Sequence, residues 1–284
     1  MYQMMSLPLY SGTLGEYNSW RDLGQELERL GCDGIEGVWG GEDLPKDLPA
    51  ELILGYHLIF YPDWLDFYRD DRAALKQKFG SLEVTASFYG GLGPDTLLEQ
   101  YRADLRRAVN LGARYVVFHV SDVSLEEGYT YRWLHTNQEV IDAAVEVVNL
   151  ILGEERWPFE FLVENQWWPG FTFTEPEETA RLLEGIRFAG KGILLDTGHL
   201  MNACTELKTE AEGADYIRRM LNRHGSLAKW VRGVHLHQSL SGAYVKAHTG
   251  SLPAGLPEDY MERFGVSYQH ILQIDQHRPW TDPA

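Results

Sequence analysis

Short apolar runs alternate with longer stretches of helical periodicity along this chain. Eight of the runs predict strands, at 7–10, 34–38, 52–59, 115–120, 159–164, 192–196, 231–235 and 270–275. Several are continuously apolar (VVF, FLV and ILL) instead of alternating with polar residues. Continuous apolar runs are typical of parallel strands that are buried on both faces.

Helical stretches separate most of these strands. They are predicted at about 17–30, 63–79, 95–110, 137–152, 175–186 and 210–224, with Pro176 in the first turn of one of them. Strands that alternate with helices predict an α/β fold, and the length suits a single (β/α)₈ TIM barrel over residues 1–284. An open doubly wound sheet is the alternative, but the segment SGTLGEY is only a weak match to the glycine-rich turn expected there.

The end of the chain departs from a complete barrel. Only nine residues follow Asp275, and two of them are Pro279 and Pro283. The last outer helix is therefore predicted to be absent. We expect the resulting seam to be covered by the tail, by the seventh helix, or by a second subunit in a homodimer.

Composition and charge argue against some classes of partner and indicate a compartment. The formal charge of −17 argues against nucleic acid, whose binding depends largely on neutralising phosphates. No apolar run approaches the ~20 residues of a membrane span, so no membrane partner is expected. Cys32 and Cys204 do not make a disulfide framework, and the first residues do not resemble a signal peptide. These features predict a cytoplasmic protein.

Candidate metal ligands stand at the ends of six successive predicted strands. They are His57, His119, Glu164, Asp196, His235 and Asp275. Because the carboxyl ends of barrel strands meet at one mouth, we expect these side chains to form one cluster. Imidazole and carboxylate donors suit Zn²⁺ or Mn²⁺, as one ion or two.

Further candidates lie beside these residues. In the segment DTGH, the glycine is expected to let the turn bring His199 back towards the mouth; the alternative is that Asp196 only caps a helix. His237 lies two residues after His235, so in a strand it faces the same side and is a candidate substrate contact. Trp168 and Glu36 are further candidate substrate contacts. Four other histidines are predicted to be surface or structural residues: His135, His224, His270 and His277.

Taken together, these motifs resemble the xylose isomerase-like barrel superfamily, which includes endonuclease IV and many sugar epimerases. The resemblance rests on LVEN with Glu164, LLDTGH with Asp196 and His199, RGVHLH with His235, and VKAHTGSL with His248. It covers most of the predicted strands 3–8.

The resemblance implies a set of ligand roles. Glu164 would bridge two metal ions, with His57 and His119 completing one site. Asp196, His235 and the carboxylate Asp275 would complete the other, and His199 and His248 would belong to a third.

Two positions depart from the family pattern. Asp275 stands where a glutamate is usual, and Lys246 stands where the third site has an aspartate. An ammonium group cannot coordinate a metal, so we expect Lys246 to hold a phosphate or carboxylate of an anionic substrate instead.

These inferences favour a divalent-metal-dependent hydrolase that acts on a small phosphate- or sugar-containing compound at a dinuclear site. Glu164, Asp275, Lys246 and His199 are the candidate catalytic residues. A mononuclear sugar or sugar-phosphate isomerase or epimerase, or an enolate-type lyase, is the alternative. An apurinic-site DNA endonuclease is less favoured, and a non-enzymatic metal-dependent binding protein also stays open.

Overall fold

Seven parallel strands form one sheet in the order of the chain. The structure is a computed structural model and describes residues 1–281. The strands are β1 Met4–Leu9, β2 Gly34–Trp39, β3 Ile53–His57, β4 Tyr115–His119, β5 Glu160–Glu164, β6 Lys191–Asp196 and β7 Val231–His235. Each coincides with a predicted strand to within a few residues, and β7 has the predicted bounds.

Helices connect the strands and cover the sheet. Within residues 1–281 they are α1 Ser11–Leu14, α2 Trp20–Leu30, α3 Leu65–Tyr68, α4 Arg72–Phe79, α5 Leu82–Tyr89, α6 Pro94–Asn110, α7 Leu125–Thr130, α8 Asn137–Leu152, α9 Pro176–Gly185, α10 Thr197–Asn202, α11 Glu210–His224, α12 Gly242–His248 and α13 Tyr260–Ile271. Short 3₁₀ turns at Ala50–Leu52 and Gly225–Trp230 precede β3 and β7. In residues 1–281 no helix is both long enough and apolar enough to cross a membrane.

The helix predicted over 63–79 is interrupted. It is divided into α3 and α4 at Asp70, whose φ of 51° lies in the left-handed region and ends the first helix. The side chain of Asp71 then accepts hydrogen bonds from the backbone of Ala73 and Ala74, and so caps α4.

The prediction of an eighth strand at 270–275 is wrong. Helix α13 continues to Ile271, and the chain then turns through 272–275. Tyr260 and Phe264 lie one helical turn apart, and both pack against Phe88. The run ILQI belongs to the end of this amphipathic pattern, and a short apolar run cannot by itself distinguish a strand from a helix end.

The alternation of side chains along the strands positions the site. Buried residues such as Val116, Phe161 and Ile193 face the helices, whereas Val117, Leu162 and Leu194 form a separate cluster inside the barrel. His119, Glu164 and Asp196 each come two residues after one of these inward residues. Since side chains two apart share a face of the sheet, all three point into the barrel at its carboxyl end.

A seam separates β1 from β7. No ladder of hydrogen bonds joins these two strands within residues 1–281. Leu236, just past β7, is 73% exposed, and Val234 on that strand is also exposed. Helix α13 packs against α5 and α7, where the His270 ring stacks on Tyr129. That a second subunit covers the seam stays a prediction.

Candidate metal centre

The strand-end residues of β3 to β7 line one cavity of about 1770 Å³. They are His57, His119, Glu164, Asp196 and His235. The register of the sheet places His119 beside Glu164 and Asp196 beside His235. The structure therefore brings together these five residues, as expected from a common barrel mouth, and the sixth, Asp275, lines the same cavity.

A first group of donors consists of His57, His119 and Glu164. The Nε2 atoms of the two histidines lie 2.9 Å apart, and each faces Glu164 Oε2, at 3.3 Å and 3.2 Å. Nδ1 of His57 lies 2.8 Å from the carbonyl oxygen of Leu58, which can only accept, so this nitrogen carries the proton. The lone pair of His57 Nε2 is then free to bind a metal ion.

A second group consists of Glu164, Asp196 and His235. Nδ1 of His235 lies 3.2 Å from Glu164 Oε1 and 3.5 Å from Asp196 Oδ2. Asp196 is also the N-cap of α10, because its Oδ1 accepts a hydrogen bond from the backbone of His199. The two roles weighed for Asp196, ligand and cap, therefore belong to different oxygens of one carboxylate.

Glu36 lies beside His235. Its Oε1 is 2.9 Å from His235 Nε2, and its Oε2 accepts a hydrogen bond from the Tyr115 hydroxyl at 2.7 Å. Glu36 is a candidate substrate contact by sequence and does line the cavity. Its contact with His235 also allows it to orient a candidate ligand.

Gly198 makes room for a histidine ring. A Cβ atom at this position would lie 2.1 Å from Cε1 of His237, closer than any real contact. The sequence suggested that this glycine is needed for a turn that other residues could not adopt. That reason is wrong, because the backbone of Gly198 is not in the left-handed region. The glycine allows the His237 ring to lie against α10, where its Nε2 is 2.8 Å from Asp196 Oδ2.

A third group consists of His199, His237, Asp275 and His277. Asp275 Oδ2 lies 3.5 Å from His199 Nε2 and 3.5 Å from His277 Nδ1. Asp275 thus lies with His199, and not in the second group where the family resemblance places a strand 8 carboxylate. His277, predicted to be a surface or structural residue, joins this group; the spacing Asp275-x-His277 was the available signal.

Lys246 and His248 do not reach the centre. Both are exposed on α12, and neither lines the cavity. Lys246 pairs with Glu206 at 2.7 Å, and the His248 ring stacks on Tyr244. Helix α12 buries Val245 instead, and this orientation turns the neighbouring side chains outwards.

Aromatic side chains form part of the cavity wall. Trp168 is buried and lines the cavity together with Trp167, whose ring lies 5.1 Å from that of His199. The indole Nε1 of Trp168 is buried and has no hydrogen-bond partner within residues 1–281. Phe60 is half exposed, and its ring lies 4.5 Å from that of His119.

The ionisable side chains of the centre shift one another's pKa values. Burial alone would raise the pKa of Glu164, but His119 and His235 lower it well below its usual value. Burial would likewise lower the pKa of His235, but Glu36 and Glu164 raise it well above the usual value. Burial lowers the pKa of His119, which favours the neutral imidazole that a metal ion requires. Glu36 and Glu164 favour a positive charge beside them, and a divalent cation can supply that charge in place of a proton on His235.

Solved structures with a similar fold include several enzymes. A D-tagatose 3-epimerase-like protein is 14% identical, with 95% of this chain and 89% of that chain covered and a TM-score of 0.41. Endonuclease IV from Thermus thermophilus is 16% identical over 95% and 99%, with a TM-score of 0.42. The IOLI protein with a bound zinc atom is 14% identical over 99% and 100%, with a TM-score of 0.43. No curated protein matches the sequence.

The family model described as xylose isomerase-like TIM barrel matches residues 25–280. This range contains β2 to β7 and every residue of the three donor groups. The match confirms the resemblance and the barrel class that the sequence motifs predicted. The chain belongs to the xylose isomerase-like TIM-barrel family.

Proposed function

We propose that this protein is a hydrolase that uses two divalent ions, Zn²⁺ or Mn²⁺, to cleave a small phosphate- or sugar-containing compound. The observation that carries the proposal is the position of the Glu164 carboxylate. Its Oε2 faces His57 and His119, and its Oε1 faces His235. One carboxylate is thus shared between two donor groups, as a bridging ligand must be.

The donor set fits such ions. His57 and His119 would hold one ion with Glu164 Oε2, and Asp196 and His235 would hold the other with Glu164 Oε1. Imidazoles and carboxylates together suit Zn²⁺ or Mn²⁺ better than Mg²⁺, which prefers oxygen donors. When bound, a pair of ions supplies a nucleophilic water at neutral pH and stabilises developing negative charge.

Protein groups around the ions would position the substrate. Asp275 lines the cavity, and its Oδ1 is buried without a partner among the described residues, so it can accept a hydrogen bond from a substrate hydroxyl. Trp168 can donate one from its unpartnered Nε1. Phe60 offers a half-exposed ring face next to His119, against which the apolar face of a sugar ring can pack.

The charge of the cavity bears on the substrate. Among the lining residues within 1–281 the only lysines or arginines are Arg114 and Arg232. Both lie at the amino ends of strands, at the opposite end from the donor groups. A phosphate would therefore depend on the ions for neutralisation. A nucleic-acid backbone at the ions would meet no lysine or arginine among the described lining residues. These features support a small substrate and argue against an apurinic-site endonuclease.

Metal content and activity test the proposal together. Protein purified without chelator should carry zinc or manganese, and His57→Ala should lose one equivalent by elemental analysis. The same variant should lose most of its hydrolysis of phosphoesters and glycosides, whereas His248→Ala, on exposed α12, should keep both metal and activity. An unchanged metal content in His57→Ala would overturn the dinuclear hydrolase.

An isomerase, epimerase or enolate-type lyase is the second candidate. It would need one ion, held by Glu164, Asp196 and His235, to bind adjacent oxygens of the substrate. The aromatic wall, and the lack of lysine and arginine near the donors among the described lining residues, favour this candidate for an uncharged polyhydroxy substrate. It would retain activity in His57→Ala, and that outcome separates the two candidates.

A further inference from the structure

We infer that the third group, His199, His237, Asp275 and His277, is a separate binding site for a divalent metal ion. One ring nitrogen from each histidine and one Asp275 oxygen all lie within 4.8 Å of one another. All four residues line the same cavity as the other two groups. The site goes beyond the proposed function, because it does not depend on which reaction the first two groups support.

The protonation of the buried histidines leaves lone pairs in the group. Nδ1 of His199 faces two acceptors, the carbonyl oxygen of Asn165 at 3.0 Å and Glu164 Oε1 at 3.2 Å, and one amide nitrogen, Gln166 Nε2 at 3.0 Å. With the proton on Nδ1, as the two acceptors favour, the Nε2 lone pair faces Asp275. Nε2 of His237 lies 2.8 Å from Asp196 Oδ2, to which it donates. This leaves Nδ1 of His237 as the acceptor nitrogen.

Two buried polar atoms in the group lack a partner within residues 1–281. They are His237 Nδ1 and Asp275 Oδ1, and the residue His237 is only 8% exposed. A buried polar atom without a partner destabilises the folded protein. A cation with its coordinated waters would satisfy both atoms. Three imidazoles and a carboxylate form a donor set typical of zinc.

Backbone contacts hold the C-terminal segment against the residues that follow β7, which places His277 beside His237. Gln238, just after β7, and Arg278 exchange backbone hydrogen bonds of 2.8 Å and 3.0 Å. The backbone of Gln276 donates to Ser239 Oγ at 3.0 Å. His277 has a φ of 45°, which is uncommon for a residue other than glycine and persists only where surrounding contacts enforce it. These contacts stack the His277 ring on His237, with centroids 4.2 Å apart.

This arrangement differs from the third site that the family resemblance implies. That site would combine His199 with His248, but His248 lies on exposed α12 outside the cavity. Here the segment after α13 supplies Asp275 and His277, and the strand end supplies His237. The arrangement implied by the family predicts that zinc is lost when His248 is replaced, whereas the arrangement inferred here predicts that zinc is lost when His277 is replaced.

Zinc content of the full chain distinguishes them. Wild-type protein and the variants His277→Ala, His248→Ala and His57→Ala are loaded with Zn²⁺, dialysed, and measured by elemental analysis. We expect His277→Ala to carry one zinc fewer than the wild type and His248→Ala to carry the same number as the wild type. No loss in His277→Ala, or an equal loss in His248→Ala, would overturn the site.

The result also separates this inference from the proposed hydrolase. If His57→Ala loses one zinc and His277→Ala loses none, the third site fails and the dinuclear proposal stands. If only His277→Ala loses zinc, the third site stands and the dinuclear proposal fails.

A second variant guards against a folding defect. Asp275→Asn keeps the shape of the side chain but removes its charge. Its zinc titration by calorimetry should lack one binding event, with the thermal unfolding of the metal-free protein unchanged. As many binding events as the wild type, with wild-type affinities, in a folded Asp275→Asn protein would overturn the site.

Discussion

The carboxylate of Glu36 lies 2.9 Å from Nε2 of His235, while Nδ1 of the same ring faces Glu164 at 3.2 Å. The imidazole is thus held between a carboxylate that orients it and one that shares its candidate metal ion. Glu36 is itself fixed by the Tyr115 hydroxyl. A histidine held in this way presents its ligand nitrogen in one orientation.

Glu36→Gln should weaken zinc binding by about 10–100-fold, the usual effect of removing such an orienting partner. The reason is that an amide can no longer hold the His235 ring by a charged hydrogen bond. Competition with a chromogenic chelator measures the affinity. Glu28→Gln, an exposed substitution on α2, is the control and should bind as the wild type does. An affinity unchanged in Glu36→Gln would remove Glu36 from the centre.

Gly198→Ala should displace the His237 ring, because its Cβ would lie 2.1 Å from that ring. Overpacking of this kind costs about 1–3 kcal/mol in the free energy of unfolding. Urea denaturation of the metal-free protein measures it. Gly128→Ala on α7 is the control, since a Cβ there meets nothing within 4 Å. Equal stabilities of the two variants would show that the space at Gly198 is not required.

Lys78→Met should destabilise the protein by about 3–5 kcal/mol, the cost of removing one partner from a buried ion pair. Lys78 Nζ lies 2.7 Å from both Asp63 and Asp66, and both carboxylates are buried. Without the ammonium group Asp63 would lose this charge partner, and Asp66 would be left with His135 at 3.1 Å. Denaturant unfolding measures the loss, and Lys76→Met on the exposed face of α4 serves as the control. A loss below about 1 kcal/mol would contradict this expectation.

The same network should make stability depend on pH in the acid range. Burial alone would raise the pKa of Asp66, but its hydrogen bonds with His135 and Lys78 lower it to about 2. A carboxyl group with a lowered folded-state pKa stabilises the protein above its ordinary pKa, and this contribution is lost as the pH falls towards 2. The difference of nearly two pKa units corresponds to about 2 kcal/mol.

Asp66→Asn tests this pH dependence. The variant should be less stable than the wild type at pH 5, and the gap should close as the pH falls from about 4 to 2. Asp43→Asn, at an exposed position, should follow the wild type throughout. Unfolding midpoints of the three proteins, measured at several pH values, test this expectation. A gap that stays constant down to pH 2 would assign the effect of the substitution to packing.

The sequence determined much of the fold and of the first two donor groups. Strands buried on both faces leave continuous apolar runs, and such runs located β4, β5 and β6 from local composition alone. Because the carboxyl ends of barrel strands converge, the positions of His57, His119, Glu164, Asp196 and His235 at strand ends were enough to place them together. These features depend on local pattern and on a general property of barrels.

Tertiary structure alone decided the rest. The run at 270–275 became the end of α13 because Tyr260 and Phe264 pack against Phe88, a contact that no local pattern records. The same change moved Asp275 away from the second group and brought it to His199 and His277. The outward orientation of Lys246 and the contact of Glu36 with His235 likewise depend on packing between residues distant in sequence. Local pattern fixes where a strand ends, but only the packing of whole elements fixes which side chains meet there.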